Sequence, residues 1–215
     1  MHHIIFDMDG VLSDSWDNSI EGLIPTGYHG NTREEVLKSH MEYCIRRPIH
    51  ARNGLMTPER KTWISKTLDT LSDFLNSANT PLFDEFIQEI QYIDGIFGLV
   101  SAGGGKYVYK QAQKTGLPFT HVLAWEDGPS KEEKIEMICR DWEIPVTEVI
   151  YVTDTLADVY ELETMMPRKH IIGCAWGFCG YAILREELPK EQILRKPEDI
   201  HDVISKMQTQ KSNNK

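Results

Sequence analysis

The sequence predicts an α/β fold: a doubly wound, Rossmann-like parallel sheet as core, with an all-helical segment inserted after its first strand. Three observations predict it. Short apolar runs at Ile4–Phe6, Ile96–Val100, His121–Ala124, Val149–Val152 and Ile171–Ala175 each have the length of a buried strand. Helix-like patterns separate most of them, and strands alternating with helices form parallel sheets covered on both faces. Between the first and second runs, residues 15–93 read as helical throughout.

Taken in order, the first strand runs into Asp7, Met8, Asp9 and Gly10. Two carboxylates at the end of a buried strand repel each other, which fits either a solvated turn or a place where a cation and a phosphate sit. Within the insert, residues 32–47 predict a helix with Val36, Met41 and Ile45 inward. Residues 57–76 predict another, capped by Thr57 with Pro58 first. Trp63, Ile64, Thr67, Leu68, Leu71 and Leu75 share one of its faces. Segment 81–92 is a third. The second strand leads into "SAGGG" at 101–105, and the third leads by a loop to Ser130 and Lys131. Residues 131–142 carry Ile135, Ile138, Cys139 and Trp142 at helical spacing, with Ser130 and Glu133 as an S-x-x-E start. "YVTDTLADV" places Asp154 and Asp158 after the fourth strand. The expected division is 1–14 with 94–206 as the α/β core, 15–93 as a helical domain, and 207–215, a polar end, as a frayed tail.

Charge narrows the partners. The 23 basic and 33 acidic residues leave a net charge of −10, which repels phosphate backbones and argues against nucleic acid. A small anionic substrate then needs a local positive site. No apolar run approaches the roughly 18 residues of a membrane helix, and no leader points to secretion. Cys44, Cys139, Cys174 and Cys179 are scattered without a CxxC pair, so reduced thiols in a cytoplasmic protein are expected, with neither zinc nor disulfides. Monomer and homodimer are both open.

Ligands of open parallel sheets bind at the carboxyl ends of the strands. That edge collects Asp7, Asp9, Ser101, the glycine loop, Lys131, Asp154 and Asp158. The carboxylates suit a hard cation, Mg²⁺ above all, which offsets their repulsion. The loop at Ser101, Ala102 and Gly103 lets the backbone approach a ligand, and the helix start after it favours an anion. Lys131, in the first turn of its helix, lies nearer this edge than Lys134. Plainer readings stand beside these: Ser101 as a turn serine, and Asp158 as an acid favouring a helix start. "CIRRPIHAR" at 44–52 reads as a substrate-recognition cluster or as a solvated helix end. Trp16 and Asp17 sit where the insert joins the core, for packing or for substrate. Cys174 and Cys179 flank Trp176 as packed thiols.

"DMDGV" at 7–11, Ser101, Lys131 and "DTLAD" at 154–158 resemble, in order, the four motifs of the haloacid dehalogenase superfamily. The insert resembles the helical cap of its phosphoglycolate-phosphatase and β-phosphoglucomutase branch. "CAWGFCGYAILREELP" resembles the strand and loop that close that branch's core. The resemblance implies that Asp7 is a nucleophile forming an aspartyl-phosphate. Asp9 would protonate the leaving oxygen and then serve as base for water. Ser101, Ala102, Gly103 and Lys131 would hold the phosphoryl oxygens. Asp7, the backbone carbonyl of Asp9, and Asp154 would bind Mg²⁺, with Asp158 supporting Asp154 or a water on the metal. An acid at Asp9 implies phosphoryl transfer and not dehalogenation. The chain departs from the pattern at Thr153, where the fourth motif usually begins with glycine, in lacking a proline–glycine turn within 81–95, and in lacking a proline after Lys131. The expected function is a cytoplasmic, Mg²⁺-dependent phosphatase acting on a small phosphorylated metabolite. A sugar-phosphate mutase and a non-catalytic binding or regulatory protein on the same fold are the alternatives.

Overall fold

The computed structural model describes residues 1–46, 56–128 and 130–212. Its centre is a six-stranded sheet in the order β3-β2-β1-β4-β5-β6. The strands are β1 His2–Phe6, β2 Gly95–Val100, β3 Phe119–Leu123, β4 Val149–Thr153, β5 Ile171–Cys174 and β6 Ile193–Leu194. Every pairing is parallel; Ile4 registers with Phe97 of β2 on one side and with Ile150 of β4 on the other. The chain builds outward from β1 to β3, then returns to β4 and builds outward to β6. The strand order therefore reverses between β1 and β4, where neighbouring crossovers diverge and leave a crevice at the strands' carboxyl ends.

The two-residue period of the strands divides the core in two. Ile4 and Phe6, Phe97 and Leu99, and Ile150 and Val152 face α4 (Asp84–Gln91), α5 (Gly105–Thr115) and α9 (Asp199–Ser212). Ile5, Val149, Tyr151 and Ile171 face α6 (Lys131–Asp141), α7 (Leu156–Leu162) and α8 (Gly180–Leu184). Both faces are covered, as strands of nearly continuous apolar sequence require.

Between β1 and β2 the described helices are α1 (Trp16–Leu23), α2 (Arg33–Ile45), α3 (Pro58–Ser77) and α4. Thr32 and Glu35 form a reciprocal capping box at α2. Thr57 Oγ1 accepts the Arg60 N–H at 3.2 Å at the start of α3, and Ser130 Oγ accepts the Glu133 N–H at 3.2 Å at α6. The inward faces expected of the insert need correction. In α3, Ile64, Thr67 and Leu75 are buried, but Trp63 is 47% exposed, its ring stacked on Tyr28 at 4.9 Å. In α2, Val36 and Cys44 are buried, Met41 is half-buried and Ile45 is 39% exposed. The small cluster of Ile20, Leu23 and Val36 that joins these helices buries only a narrow stripe. Helix α4 instead puts Phe86, Ile87 and Ile90 into the sheet's own core.

Two more features differ from expectation. Strand β6 has only two residues and no periodic signal, and α9 continues to Ser212. The greater part of the 44–52 basic cluster, from Arg47 onward, lies outside the described residues. No described helix is long and apolar enough to cross a membrane.

Helix α3 lies directly on the start of α5. A Cβ on Gly104 would stand 2.7 Å from Ser72 Oγ and 3.2 Å from the Leu68 carbonyl. Trp125 Nε1 donates to Ser65 Oγ at 3.1 Å, and Lys106 pairs with Asp73 at 2.6 Å. The insert is thereby held over the sheet edge where the conspicuous acids lie.

Candidate active site

Asp7 is the first residue beyond β1. Its N–H donates to the Val152 carbonyl at 2.9 Å, so the chain leaves the sheet still fastened to β4. Its carboxylate is buried and held at both oxygens: Oδ1 accepts the Met8 N–H at 2.8 Å and Oδ2 accepts Lys131 Nζ at 2.6 Å. Lys131 opens α6, and its Nζ also donates to Asp158 Oδ2 at 2.6 Å. Asp158 Oδ2 further accepts Thr153 Oγ1 at 2.6 Å and the Tyr151 hydroxyl at 2.9 Å. Three donors on one oxygen direct Asp158 toward Lys131. Thr153, standing where glycine was expected, is fully buried and supplies one of those donors. Lys134, a turn farther on, donates instead to the carbonyls of Ser101 and Ala124 at 2.5 and 3.1 Å.

Asp9 Oδ1 accepts the Tyr107 hydroxyl at 3.1 Å, and Tyr107 shares a 2.8 Å bond with Ser13. The turn between Asp9 and Ser13 closes through the Gly10 N–H, which donates to the Ser13 carbonyl at 2.9 Å. Gly10 has φ +73°, and a Cβ there would fall 2.0 Å from Asp154 Oδ2. On the opposite side, a Cβ on Gly177 would fall 2.3 Å from Asp154 Cβ. Asp154 is thus clamped between two glycines. Its Oδ2 accepts the Phe178 N–H at 2.7 Å, while its buried Oδ1 has no hydrogen-bond partner among the described residues.

In the glycine loop, the Ser101 N–H donates to the Leu123 carbonyl at 2.9 Å, and Ser101 Oγ accepts the Gly103 N–H at 2.9 Å. Gly103 is tightly enclosed: a Cβ would meet Val108 Cγ2 at 3.1 Å and Ser101 Oγ at 3.2 Å. Glu126 Oε2 takes the Gly105 N–H at 2.8 Å. The Ala102 and Gly104 amides have no acceptor among the described residues and are left for an anion.

The electrostatics follow from packing acids around one lysine. Burial, helped by Asp158 and Asp9 and opposed by Lys131, leaves Asp7 raised to about 7. Asp154 is raised well above the usual carboxylate range, first by burial and then by Asp7. Burial also raises Asp9, against the pull of the Tyr107 hydroxyl and Lys131. Burial opposes charge on Lys131, but Asp158 and Asp7 outweigh it and hold its pKa well above the ordinary value. A single lysine leaves this cluster short of positive charge. Among the described residues no three His, Cys, Asp or Glu side chains form a complete metal cage. Two carboxylates and a backbone carbonyl would still make a hard oxygen set that takes its remaining ligands from water and substrate, as Mg²⁺ prefers. The orphaned Oδ1 of Asp154 fits such an ion.

A cavity of about 260 Å³ opens above these groups; Asp7, Lys131 and Asp154 form its floor, and Tyr28, His40 and Tyr43 of the insert contribute to its walls.

A sequence profile described as haloacid dehalogenase-like hydrolase matches residues 4–161. The chain is a haloacid dehalogenase-like hydrolase. Solved structures share the fold along nearly its whole length. A Pseudomonas syringae hydrolase superposes with a TM-score of 0.70 at 14% identity, covering 96% of this chain and 99% of the other. A Haemophilus somnus protein assigned as a phosphoglycolate phosphatase gives 0.62 at 15% identity, covering 95% and 98%. A Thermotoga maritima protein assigned as a β-phosphoglucomutase gives 0.58 at 16% identity, covering 96% and 99%. No curated protein sequence matches the chain. In this haloacid dehalogenase-like hydrolase the structure brings Asp7, Asp9, Ser101, Lys131, Asp154 and Asp158 to one sheet edge. Sequence reasoning did not single out Tyr107, Gly177 or Phe178 for the site. The available signal was Gly177 in "CAWGFCG".

Proposed function

We propose that the protein is a Mg²⁺-dependent phosphatase that hydrolyses a small phosphomonoester through an aspartyl-phosphate on Asp7. The observation that carries this reading is the buried Asp7–Lys131 pair at 2.6 Å, with a second acid two residues on, held separately by Tyr107. Lys131 orients the Asp7 carboxylate for attack on phosphorus and faces the phosphoryl oxygens with a fixed positive charge. Asp9, raised by burial, holds a proton for the leaving oxygen and takes one back from the attacking water. The Ala102 amide and Ser101 hydroxyl complete the phosphoryl cradle. Asp7, the Asp9 carbonyl and Asp154 would hold Mg²⁺, which when bound would neutralise charge on the phosphoryl group. Asp158 acts through Lys131. Residues 1–14 and 94–206 supply the reaction, and within 15–93 the helices α1 to α3 cover it and choose the leaving group, while α4 packs on the sheet.

The test is phosphate release from a panel of small phosphomonoesters with Mg²⁺, beside Asp7→Asn. Asparagine keeps the shape and an acceptor for Lys131 but not the nucleophile. Turnover should fall by roughly a thousandfold or more, with the melting temperature little changed. Chelation should stop release and added Mg²⁺ restore it. Release that survives Asp7→Asn removes the nucleophile assignment. An isomeric sugar phosphate in place of free phosphate makes the protein a mutase.

A further inference from the structure

Lys134 sets a buried positive charge against two backbone carbonyls. It stands on α6 one turn after Lys131, is 1% exposed, and forms no ion pair among the described residues. Its Nζ donates to the Ser101 carbonyl at 2.5 Å and to the Ala124 carbonyl at 3.1 Å. These are the first residues past β2 and β3. Burial, and then the charge of Lys131, bring its pKa down to about 8, against the pull of Glu161, Asp7 and Asp127. At pH 7 the amine therefore keeps its charge. A buried cation with only carbonyls for partners is costly. The benefit lies in what those carbonyls hold in place.

The described residues contain no cis peptide. In a trans peptide the C=O of one residue and the N–H of the next point opposite ways. By taking the Ser101 carbonyl, Lys134 turns the Ala102 N–H away from itself. Ser101 is fixed at its other end too, because its N–H donates to the Leu123 carbonyl at 2.9 Å. The second carbonyl works through one more step. The Ala124–Trp125 peptide, drawn at its oxygen by Lys134, presents the Trp125 N–H to the Gly103 carbonyl at 2.9 Å. That bond in turn points the Gly104 N–H the opposite way. Ala102 and Gly104 carry the amides of this loop that have no acceptor among the described residues, and both residues line the cavity over Asp7. One ammonium thus stands behind two runs of aligned peptide dipoles whose positive ends are those amides. Its charge polarises each run toward them.

We propose that Lys134 is a positioning residue for the phosphoryl group: it aims and polarises the Ala102 and Gly104 amides toward the phosphoryl oxygens and never touches the substrate itself. The inference rests on the phosphomonoester reading above and assigns the part of its cradle that reading leaves without a cause. The two lysines of α6 then differ in reach. Lys131 meets Asp7 and Asp158 directly, at 2.6 Å each. Lys134 delivers its charge through the backbone. Methionine would fill the same space without a buried charge, but it would leave both carbonyls unheld and both peptides free to turn.

The experiment follows the Ala102 and Gly104 amide resonances of the isotopically labelled full chain by NMR while inorganic phosphate is added with Mg²⁺ present. Calorimetry gives the phosphate affinity of the same samples. In the unmodified protein both resonances should move. Lys134→Met should remove most of that movement and weaken phosphate about tenfold or more, while the thermal stabilisation by Mg²⁺ is kept. Lys134→Gln, which keeps a donor but not the charge, should lie between the two. A variant that melts lower yet binds phosphate as tightly would reduce Lys134 to a structural part of α6 and overturn the proposal. Equal loss of phosphate and Mg²⁺ would mark a general collapse of the site and overturn it likewise. Where Lys134→Met fails to fold, Lys134→Gln decides, and amides that ignore phosphate in the unmodified protein overturn the proposal whatever the variants do. Phosphate release from the ester panel reports separately on the hydrolase reading. Release without an amide response sinks only this inference, and an amide response without release sinks only the hydrolase reading.

Discussion

Thr153 shows how one side chain sets the geometry of a site it never enters. Its hydroxyl is one of three donors on Asp158 Oδ2, and that oxygen also holds Lys131 against Asp7. Thr153→Val keeps the shape and removes the donor. The buried carboxylate then loses a partner, at a cost of about 1–3 kcal/mol. The expected result is a lower melting temperature and a lower kcat, with Thr153→Ser restoring both. An unchanged melt and rate would show that Lys131 and Tyr151 suffice. Gly10→Ala acts on the side where Mg²⁺ is proposed. With φ +73° and a Cβ only 2.0 Å from Asp154 Oδ2, alanine must displace that carboxylate. The thermal stabilisation expected from Mg²⁺ should disappear in this variant, and a full Mg²⁺ shift would contradict the assigned ligand set. Asp7, Asp9, Ser101, Lys131 and Asp154 were legible in the sequence because each follows a recognisable strand or starts a recognisable helix. Tyr107 was not, because its role depends on a contact 98 residues away in sequence from Asp9.

At the scale of elements, apolar runs located β1 through β5 because buried parallel strands need little else. They did not locate β6, whose two residues carry no pattern. Helical periodicity found α2 and α3 but misjudged Trp63 and Ile45. The pattern marks an apolar stripe without saying whether another helix or a cavity lies against it. It also could not show that α4 packs on the sheet, which depends on Phe86 meeting Phe6 at 6.3 Å. The contact between α3 and α5 was invisible for the same reason, and it can be tested. Gly104→Ala places a methyl against Ser72 Oγ, which can rotate, and against the Leu68 carbonyl, which cannot. The expected overpacking cost is about 1–3 kcal/mol, relieved by lifting α3 from the loop. Trp125, bonded to Ser65 across the same contact, should then change its fluorescence, with a raised KM. Unaltered fluorescence and KM would show that α3 is not fixed there.

The whole molecule carries a net charge of −10 and holds two histidines, the half-buried His29 and the more deeply packed His40, within its helical insert. Their burial ties overall stability to pH. The folded pKa of His40, about 4, lies below the ordinary value of 6.5. The unfolded chain therefore binds the proton first as pH falls. The stabilisation is complete above about pH 6.5 and is lost progressively toward pH 4. At pH 5 the loss for His40 is about 2 kcal/mol. His29 adds to it in the same direction, while raised carboxylates such as Asp7 oppose it. The net acid limb of the wild type thus mixes terms of both signs, and a difference isolates one of them. Denaturant unfolding of the wild type and of His40→Phe, both with Mg²⁺ at pH 7.5 and pH 5, should show the variant gaining about 2 kcal/mol on the wild type between the two conditions. His29 and the carboxylates remain in both proteins and largely cancel. A difference between the two proteins that does not change with pH would mean that His40 ionises as easily folded as unfolded. That result would contradict its burial.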